Sequence, residues 1–172
     1  MALFVAAVLA DIDELGYVAT LTELLEWLGC TADDADDLNL AIAEQPPPGH
    51  ETWVCMALRA FRDQRPTLFA AVRPFLDHPV PEVRELAVVT MLPLSEHPDL
   101  ASHRGEVIDH SHRLLASSTH RRRRDRVLGA LKDVGHDTST LENASDIEAR
   151  ERRARFWANS GSGPRYSESP PF

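Results

Sequence analysis

Five arginines lie within six consecutive positions: Arg121, Arg122, Arg123, Arg124 and Arg126. Guanidinium groups hold phosphate and carboxylate oxygens through paired hydrogen bonds, so the run could bind a phosphate backbone or an acidic patch on a protein. Consecutive helical residues point all round a helix, which predicts that at least one arginine buries its stem and keeps its charged head outside. A solvated face, or pairing with Asp125 and with acids of neighbouring helices, would explain the run equally well.

Histidine and carboxylate side chains occur at metal-ligand spacing in two places. His103, Glu106 and His110 share one helical face, where their side chains could converge on a divalent ion. The same spacing also fits a solvated polar face opposite an apolar one. The dyad His50-Glu51 supplies only two ligands. We therefore expect neither a metal site nor a cofactor.

Arrangements for nucleophilic catalysis are missing from the sequence. It contains no GxSxG elbow, no HExxH and no glycine-rich phosphate loop. In the pairs Ser102-His103 and Ser111-His112 the two side chains point about 100° apart on a helix, so they cannot act as nucleophile and base. The sequence predicts a protein that is not an enzyme.

Charge is distributed unevenly along the 172 residues, whose formal net charge is −9. Residues 1–50 contain ten acidic residues and no lysine or arginine, whereas residues 101–156 contain twelve basic and nine acidic residues. This gradient predicts a dipolar surface that suits a protein partner. The acidic first half argues against nucleic acid, whose binding favours a continuous basic stripe.

The sequence also indicates the cellular compartment of the protein. Cys30 and Cys55 stand far apart without a CxxC motif, as reduced thiols of a cytosolic protein do. The apolar opening MALFVAAVLA lacks the basic residues of a secretory signal and is shorter than the roughly 20 residues of a membrane span. We expect a cytoplasmic protein without a membrane segment.

Apolar residues recur at helical spacing throughout, and no segment alternates with the two-residue period of a strand, which predicts an all-α fold. Pro81 opens the clearest helix. The stripes predict eight helices, near residues 5–15, 21–28, 38–42, 54–61, 66–76, 81–94, 100–117 and 120–134. Residues 1–136 are thus a domain of four stacked helix pairs, 137–158 a degenerate last helix, and 159–172 a disordered tail rich in Ser, Gly and Pro.

Residues that start, bend and end helices set the predicted boundaries. Gly29 and Gly135 follow apolar stripes and are expected to end their helices. Asp33 or Asp34 is available as the N-cap of the third helix. Pro74 lies inside a stripe and should bend it.

The stretch LDHPVPEVRELAVVTMLPL, residues 76–94, resembles the core of a HEAT repeat, with an Asp-Pro corner followed by a helix that begins Val-Arg. The segment 95–135 is similar to the divergent HEAT-like proteins of high-GC bacteria. The resemblance implies a right-handed α-solenoid of about four helix pairs, of the armadillo-like type. Val80 stands where the family usually has an aspartate, so one capping oxygen is missing.

In such solenoids the second helix of each pair lines the concave face. The resemblance therefore implies a partner-binding wall that includes Glu82 and Glu85 together with Glu23, Glu26, Trp27, Trp53, Arg59, Arg62, Arg121, Arg122, Arg123 and Arg124. The tryptophans could instead fill gaps between helix pairs.

We expect a scaffold that binds a protein on this wall. An immunity- or antitoxin-like role, with the acidic half covering a basic toxin, is one specific form. The alternative is a nucleic-acid-binding protein, or a DNA-repair enzyme similar to the HEAT-like alkylpurine DNA glycosylases, on the same scaffold. It predicts that Trp53 and the arginines meet in one pocket.

Overall fold

The structure is a computed structural model that describes residues 2–11, 17–36 and 53–160. These ranges form eight α-helices, two 3₁₀ helices and no strand, which confirms the all-α class. None of these helices is long and apolar enough to cross a membrane. The α-helices are α1 (Ala2–Asp11), α2 (Val18–Asp34), α3 (Trp53–Asp63), α4 (Arg65–Val72), α5 (Pro81–Leu94), α6 (Arg104–Ser117), α7 (Arg121–Asp133) and α8 (Ala144–Ser160), and the 3₁₀ helices are Arg73–Asp77 and Pro98–His103.

Helix α5 lies at the centre of the fold. Its first turn carries charged side chains, but every residue from 86 to 94 is buried. A helix that is apolar on all sides must be covered on all sides. Helices α2, α4, α6 and α7 and the 3₁₀ helix Arg73–Asp77 pack around it.

The most extensive of these contacts joins α5 to α2. Thr90 Oγ1 donates a buried hydrogen bond of 2.7 Å to the Leu25 carbonyl. A Cβ atom at Gly29 would lie 3.3 Å from Thr90 Oγ1 and 3.4 Å from its Cα. Glycine at this position therefore lets the two backbones approach closely.

A buried arginine closes the C-terminal end of α2. Arg65 Nη2 donates to the carbonyls of Ala32 and Ala35 at 2.9 and 2.8 Å. The last carbonyls of a helix have no partner within the helix, so these bonds satisfy groups that would otherwise be buried unpaired. They also fix α2 to the start of α4.

The remaining contacts join helices that lie close to one another in chain order. Helix α1 contacts α4, α4 contacts α5, and α6 contacts α5 and α7. Helix α3 packs against α2 and α4, and α8 packs against α7. Cys30, on α2, and Cys55, on α3, do not form a disulfide bond.

Several predicted boundaries change in the structure. The expected end of the second helix at Gly29 is wrong, because α2 continues through Gly29 to Asp34. Asp33 and Asp34 are consequently the last residues of α2 rather than N-caps. The α-helical part of α4 ends at Val72, and the chain continues as a 3₁₀ helix that contains Pro74. The predicted helix near 38–42 lies outside the described residues.

The C-terminal boundaries follow the sequence more closely. Gly135 adopts a positive φ of 84° after α7, and the His136 N–H bonds to the Leu131 carbonyl at 2.9 Å, which is a Schellman end. Within the segment 137–158, predicted as a degenerate last helix, α8 begins at Ala144. Of the predicted tail 159–172, the first two residues end α8 and the rest lies outside the described residues.

Replacing Gly29 by leucine should lower the free energy of unfolding by about 1–3 kcal/mol, because the side chain would separate α2 from α5.

Gly129, in the middle of α7, has open space around its Cβ position. Gly129→Ala should therefore raise the free energy of unfolding by about 0.5–1 kcal/mol. Urea unfolding followed by far-ultraviolet circular dichroism measures both. A Gly29→Leu variant as stable as the wild type would contradict the close approach.

Candidate functional site

A groove runs along the face that α2, α5 and α7 share, with a volume of about 1230 Å³. Leu86 and Val89 of α5 give it an apolar floor. Acidic and basic side chains form its walls. The acidic ones are Glu26, Asp33, Glu82 and Asp125, and the basic ones are Arg121, Arg122, Arg123 and Arg126.

Arg123 ties α7 to the first turn of α5. Its Nη1 donates to Glu85 Oε2 and its Nη2 to Glu82 Oε1, both at 2.8 Å. Burial disfavours the charged guanidinium, but the hydrogen bonds to Glu85 and Glu82 oppose it, and the pKa of Arg123 is raised. Acids of the neighbouring helix therefore already neutralise this arginine.

Arg126 connects α7 to the end of α2 through an ion pair with Asp33. Burial raises the pKa of the Asp33 carboxyl, although the Arg126 guanidinium beside it acts in the opposite direction. A carboxylate in the last turn of a helix also faces the negative end of the helix dipole. Arg126 reduces both unfavourable effects, and burial still prevails in the pKa of Asp33.

Arg124 is buried between α6, α7 and the start of α8. Its Nε lies 3.1 Å from each carboxylate oxygen of Asp146, and its Nη2 lies 2.6 Å from Oδ2. Its other hydrogen bonds go to the carbonyls of Leu115, Ser118 and Leu141. The expectation that a partly buried arginine keeps its head in solvent is wrong here. The head is buried too, because the acid and the carbonyls satisfy it.

Asp146 also completes a capping box at the start of α8. Its Oδ2 accepts from the Asn143 N–H at 2.9 Å, and Asn143 Oδ1 accepts from the Asp146 N–H at 3.0 Å. The hydrogen bonds from Arg124 hold the pKa of Asp146 below its ordinary value despite burial. The buried pair thus determines where α8 begins.

Arg121 and Arg122 are the exposed members of the run. Neither has an ion pair or a side-chain hydrogen bond within the described ranges, and the same holds for Glu26 on the opposite wall. These three side chains are the charges that the groove can offer to another molecule.

The structure brings together only part of the predicted wall. Glu26, Arg121, Arg122 and Arg123 line the groove, as do Glu82 and other residues of α5. Glu23 and Trp27 lie on α2 but do not line it. Arg124 faces the opposite side of α7.

The structure does not bring the α3 part of the predicted wall to this groove, because α2 packs directly on α5. Trp53, Arg59 and Arg62 lie on α3, and no described residue of α3 lines the groove. Trp53 and the arginines therefore do not meet in one pocket. Trp53 is 79% exposed and Trp27 41%, so Trp53 does not fill a gap between helices.

The predicted metal-ligand cluster around Glu106 makes contacts within the protein instead of converging on a metal site. Glu106 pairs with Arg73 at 3.0 Å and lies 3.6 Å from His103, and the Arg73 hydrogen bond lowers its pKa. No group of three His, Cys, Asp or Glu residues in the described part of the chain could hold a metal ion. His50-Glu51 lies outside the described residues.

Serine and histidine side chains are also separate. Ser111 Oγ donates to the Val107 carbonyl at 2.8 Å and not to an imidazole. His112 is exposed on the same helix.

Two sequence signals identify the buried pair in retrospect. Position 124 precedes Val127, Leu128 and Leu131 by three, four and seven residues, so it shares their buried face. Asn143 and Asp146 have the spacing of a capping box.

Comparison with known proteins gives no relative: no family model, curated protein or solved structure matches the chain. Any functional proposal therefore depends on the geometry of the groove.

Replacing Arg124 by methionine should lower the free energy of unfolding by about 3–5 kcal/mol, because Asp146 would remain buried without its counterion. The double variant Arg124→Met/Asp146→Leu should recover part of this loss. Thermal or urea unfolding at neutral pH measures both. Equal stability of the single and double variants would contradict the pairing.

Asp146→Asn should weaken the protein in a pH-dependent way. The pKa of Asp146 is lower in the folded than in the unfolded chain, so its charge stabilises the fold above the ordinary pKa of an aspartate. That contribution disappears as the pH falls through the lowered value. Urea unfolding at a series of acidic pH values should show the difference between wild type and variant shrinking below about pH 4. A constant difference would contradict the assignment.

Proposed function

We propose that the protein is a non-enzymatic cytoplasmic scaffold of HEAT-type helical repeats that binds a protein partner in the groove between α2, α5 and α7. The observation that carries the proposal is the exposed pair Arg121 and Arg122 on the rim, beside arginines that acids of the same chain already neutralise. Unpaired charges beside an apolar floor suit a protein partner, to which they give specificity and speed of association.

The contacts between helices favour a repeat architecture. Helices α1 and α2 contact α4 and α5, respectively, and α5 contacts α7 in turn. This order is expected if α1/α2, α4/α5 and α6/α7 are successive pairs whose second helices form one layer. Helix α3 is then an addition at the side, against α2 and α4.

The groove walls indicate the chemistry of the partner. A complementary segment carries basic groups opposite Glu26 and acidic groups opposite Arg121 and Arg122. The net charge of −9 favours a partner that is basic overall, because long-range attraction accelerates encounter. An immunity- or antitoxin-like role, in which the acidic helices cover a basic protein surface, is the specific form that these charges support.

Site-specific photocrosslinking in the native host tests whether the groove is occupied. A crosslinking amino acid at Thr119, on the groove rim, should yield a protein adduct. The same amino acid at Arg155, on the exposed face of α8, should not. Adducts of equal yield from both positions would count against the groove.

Charge reversal then tests whether Arg121 and Arg122 contact the partner. Arg121→Glu/Arg122→Glu should weaken binding of the crosslinked partner at least about tenfold, because two attractive contacts become repulsive. Arg152→Glu/Arg155→Glu changes the net charge equally on α8 and should leave the dissociation constant within about twofold. Equal effects of the two double variants, or salt-sensitive DNA binding in place of protein binding, would overturn the proposal.

A further inference from the structure

A second concave site lies on the neighbouring face of α5, away from the groove. It is a cleft of about 420 Å³ between the first turns of α5, the last turns of α6 and the 3₁₀ helix Arg73–Asp77. Leu76, Val88 and Leu114 give it an apolar side. Asp77, His110 and Arg113 give it polar groups.

The His110 imidazole is unusual among these groups. It is only 9% exposed, yet no hydrogen bond from the described residues reaches either of its ring nitrogens. By comparison, His78 and His97 each accept a main-chain N–H at 3.2 Å. The ring nitrogens of His110 are not among the fully buried polar atoms, so they open to the solvent of the cleft. An imidazole whose nitrogens face a cleft without a protein partner is available to a ligand.

The charges around His110 are available as well. Arg113 makes one long hydrogen bond, from Nε to the Asp109 carbonyl at 3.4 Å, and has no ion pair in the described part of the chain. Asp77 also has no ion-pair partner there. The two other charged lining residues are already engaged. Arg84 donates to the carbonyls of residues 78 and 79, and Glu85 accepts from an arginine of α7.

The cleft thus presents one cation, one anion and one neutral imidazole beside an apolar wall. Burial lowers the pKa of His110, so at neutral pH the ring has one donor and one acceptor nitrogen. The complementary molecule has a carboxylate for Arg113, an ammonium for Asp77 and an apolar group for Leu76, Val88 and Leu114. A metal ion does not fit, because the third possible ligand beside Asp77 and His110, the Glu85 carboxylate, is held by Arg123.

We propose that this cleft binds a small zwitterionic molecule with an apolar side group, the chemical class of the free aliphatic amino acids. Arg113 holds the carboxylate, Asp77 holds the ammonium, and His110 supplies a hydrogen bond between them. A volume of about 420 Å³ is within the range of small-molecule sites. The site is independent of the partner-binding groove.

Titration of the full-length protein with L-leucine tests the proposal, with the His110 ring resonances as the nuclear magnetic resonance readout. Leucine should shift them saturably, with a dissociation constant in the millimolar range. L-Leucinamide lacks the carboxylate and 4-methylpentanoate lacks the ammonium. Each should therefore bind at least about tenfold more weakly than leucine.

Variants locate the site. Arg113→Gln and Asp77→Asn should each weaken leucine binding about tenfold, and both residues are exposed enough to be replaced without disturbing the core. Arg155→Gln, on the exposed face of α8, should leave it unchanged. The proposal is overturned if His110 does not respond up to about 50 mM leucine, which would leave a water-filled cleft. Equal shifts from all three compounds, or full binding by Arg113→Gln and Asp77→Asn, would overturn it too.

Discussion

The burial of α5 on all sides is the constraint on which the rest of the structure depends. From residue 86 to residue 94 this helix has no solvated face, so it cannot exist without neighbours all round it. The surrounding helices need only one apolar stripe each and can carry charge on their outer faces. Their arrangement follows from the shape of α5, above all at Thr90, where Gly29 lets α2 come closest. The order of packing is therefore set from the centre outward.

Surrounding one helix with others brings helix ends into the interior, where terminal carbonyls lack partners. Two arginines satisfy such carbonyls with hydrogen bonds from their guanidinium groups. Arg65 donates to the last carbonyls of α2, and Arg124 donates to carbonyls at the end of α6. Arginine suits the task because its five donors lie in one plane and its charge persists at any pH the fold experiences. Arg124 is also matched by a fully buried acid, Asp146, and that acid organises the next helix.

The all-α class and most helix positions were predictable, because apolar periodicity is a local property of the sequence. The boundaries at Pro81 and Gly135 were equally local. Gly29 was misread because glycine both ends helices and permits close packing, and the choice between these depends on Thr90, far away in the chain. For the same reason, only part of the groove lining was predicted from the sequence. Chain order suggested α3 as the neighbour of α2, whereas the fit of Gly29 on Thr90 selects α5.

The exposed first turn of α5 explains why both proposed sites lie where they do. Where the helix leaves the core, its side chains divide between two adjacent faces: Glu82 and Leu86 face the groove, and Arg84 and Val88 face the cleft. Beyond Val89 no residue of the helix lines either the groove or the cleft. Glu85 belongs to the cleft but is held by Arg123 from the groove side, so a single ion pair forms the partition between the two sites. Loss of that pair would free a carboxylate in the cleft, whereas Arg123 would keep its bond to Glu82 at 2.8 Å, so the charge of the cleft would change more than that of the groove.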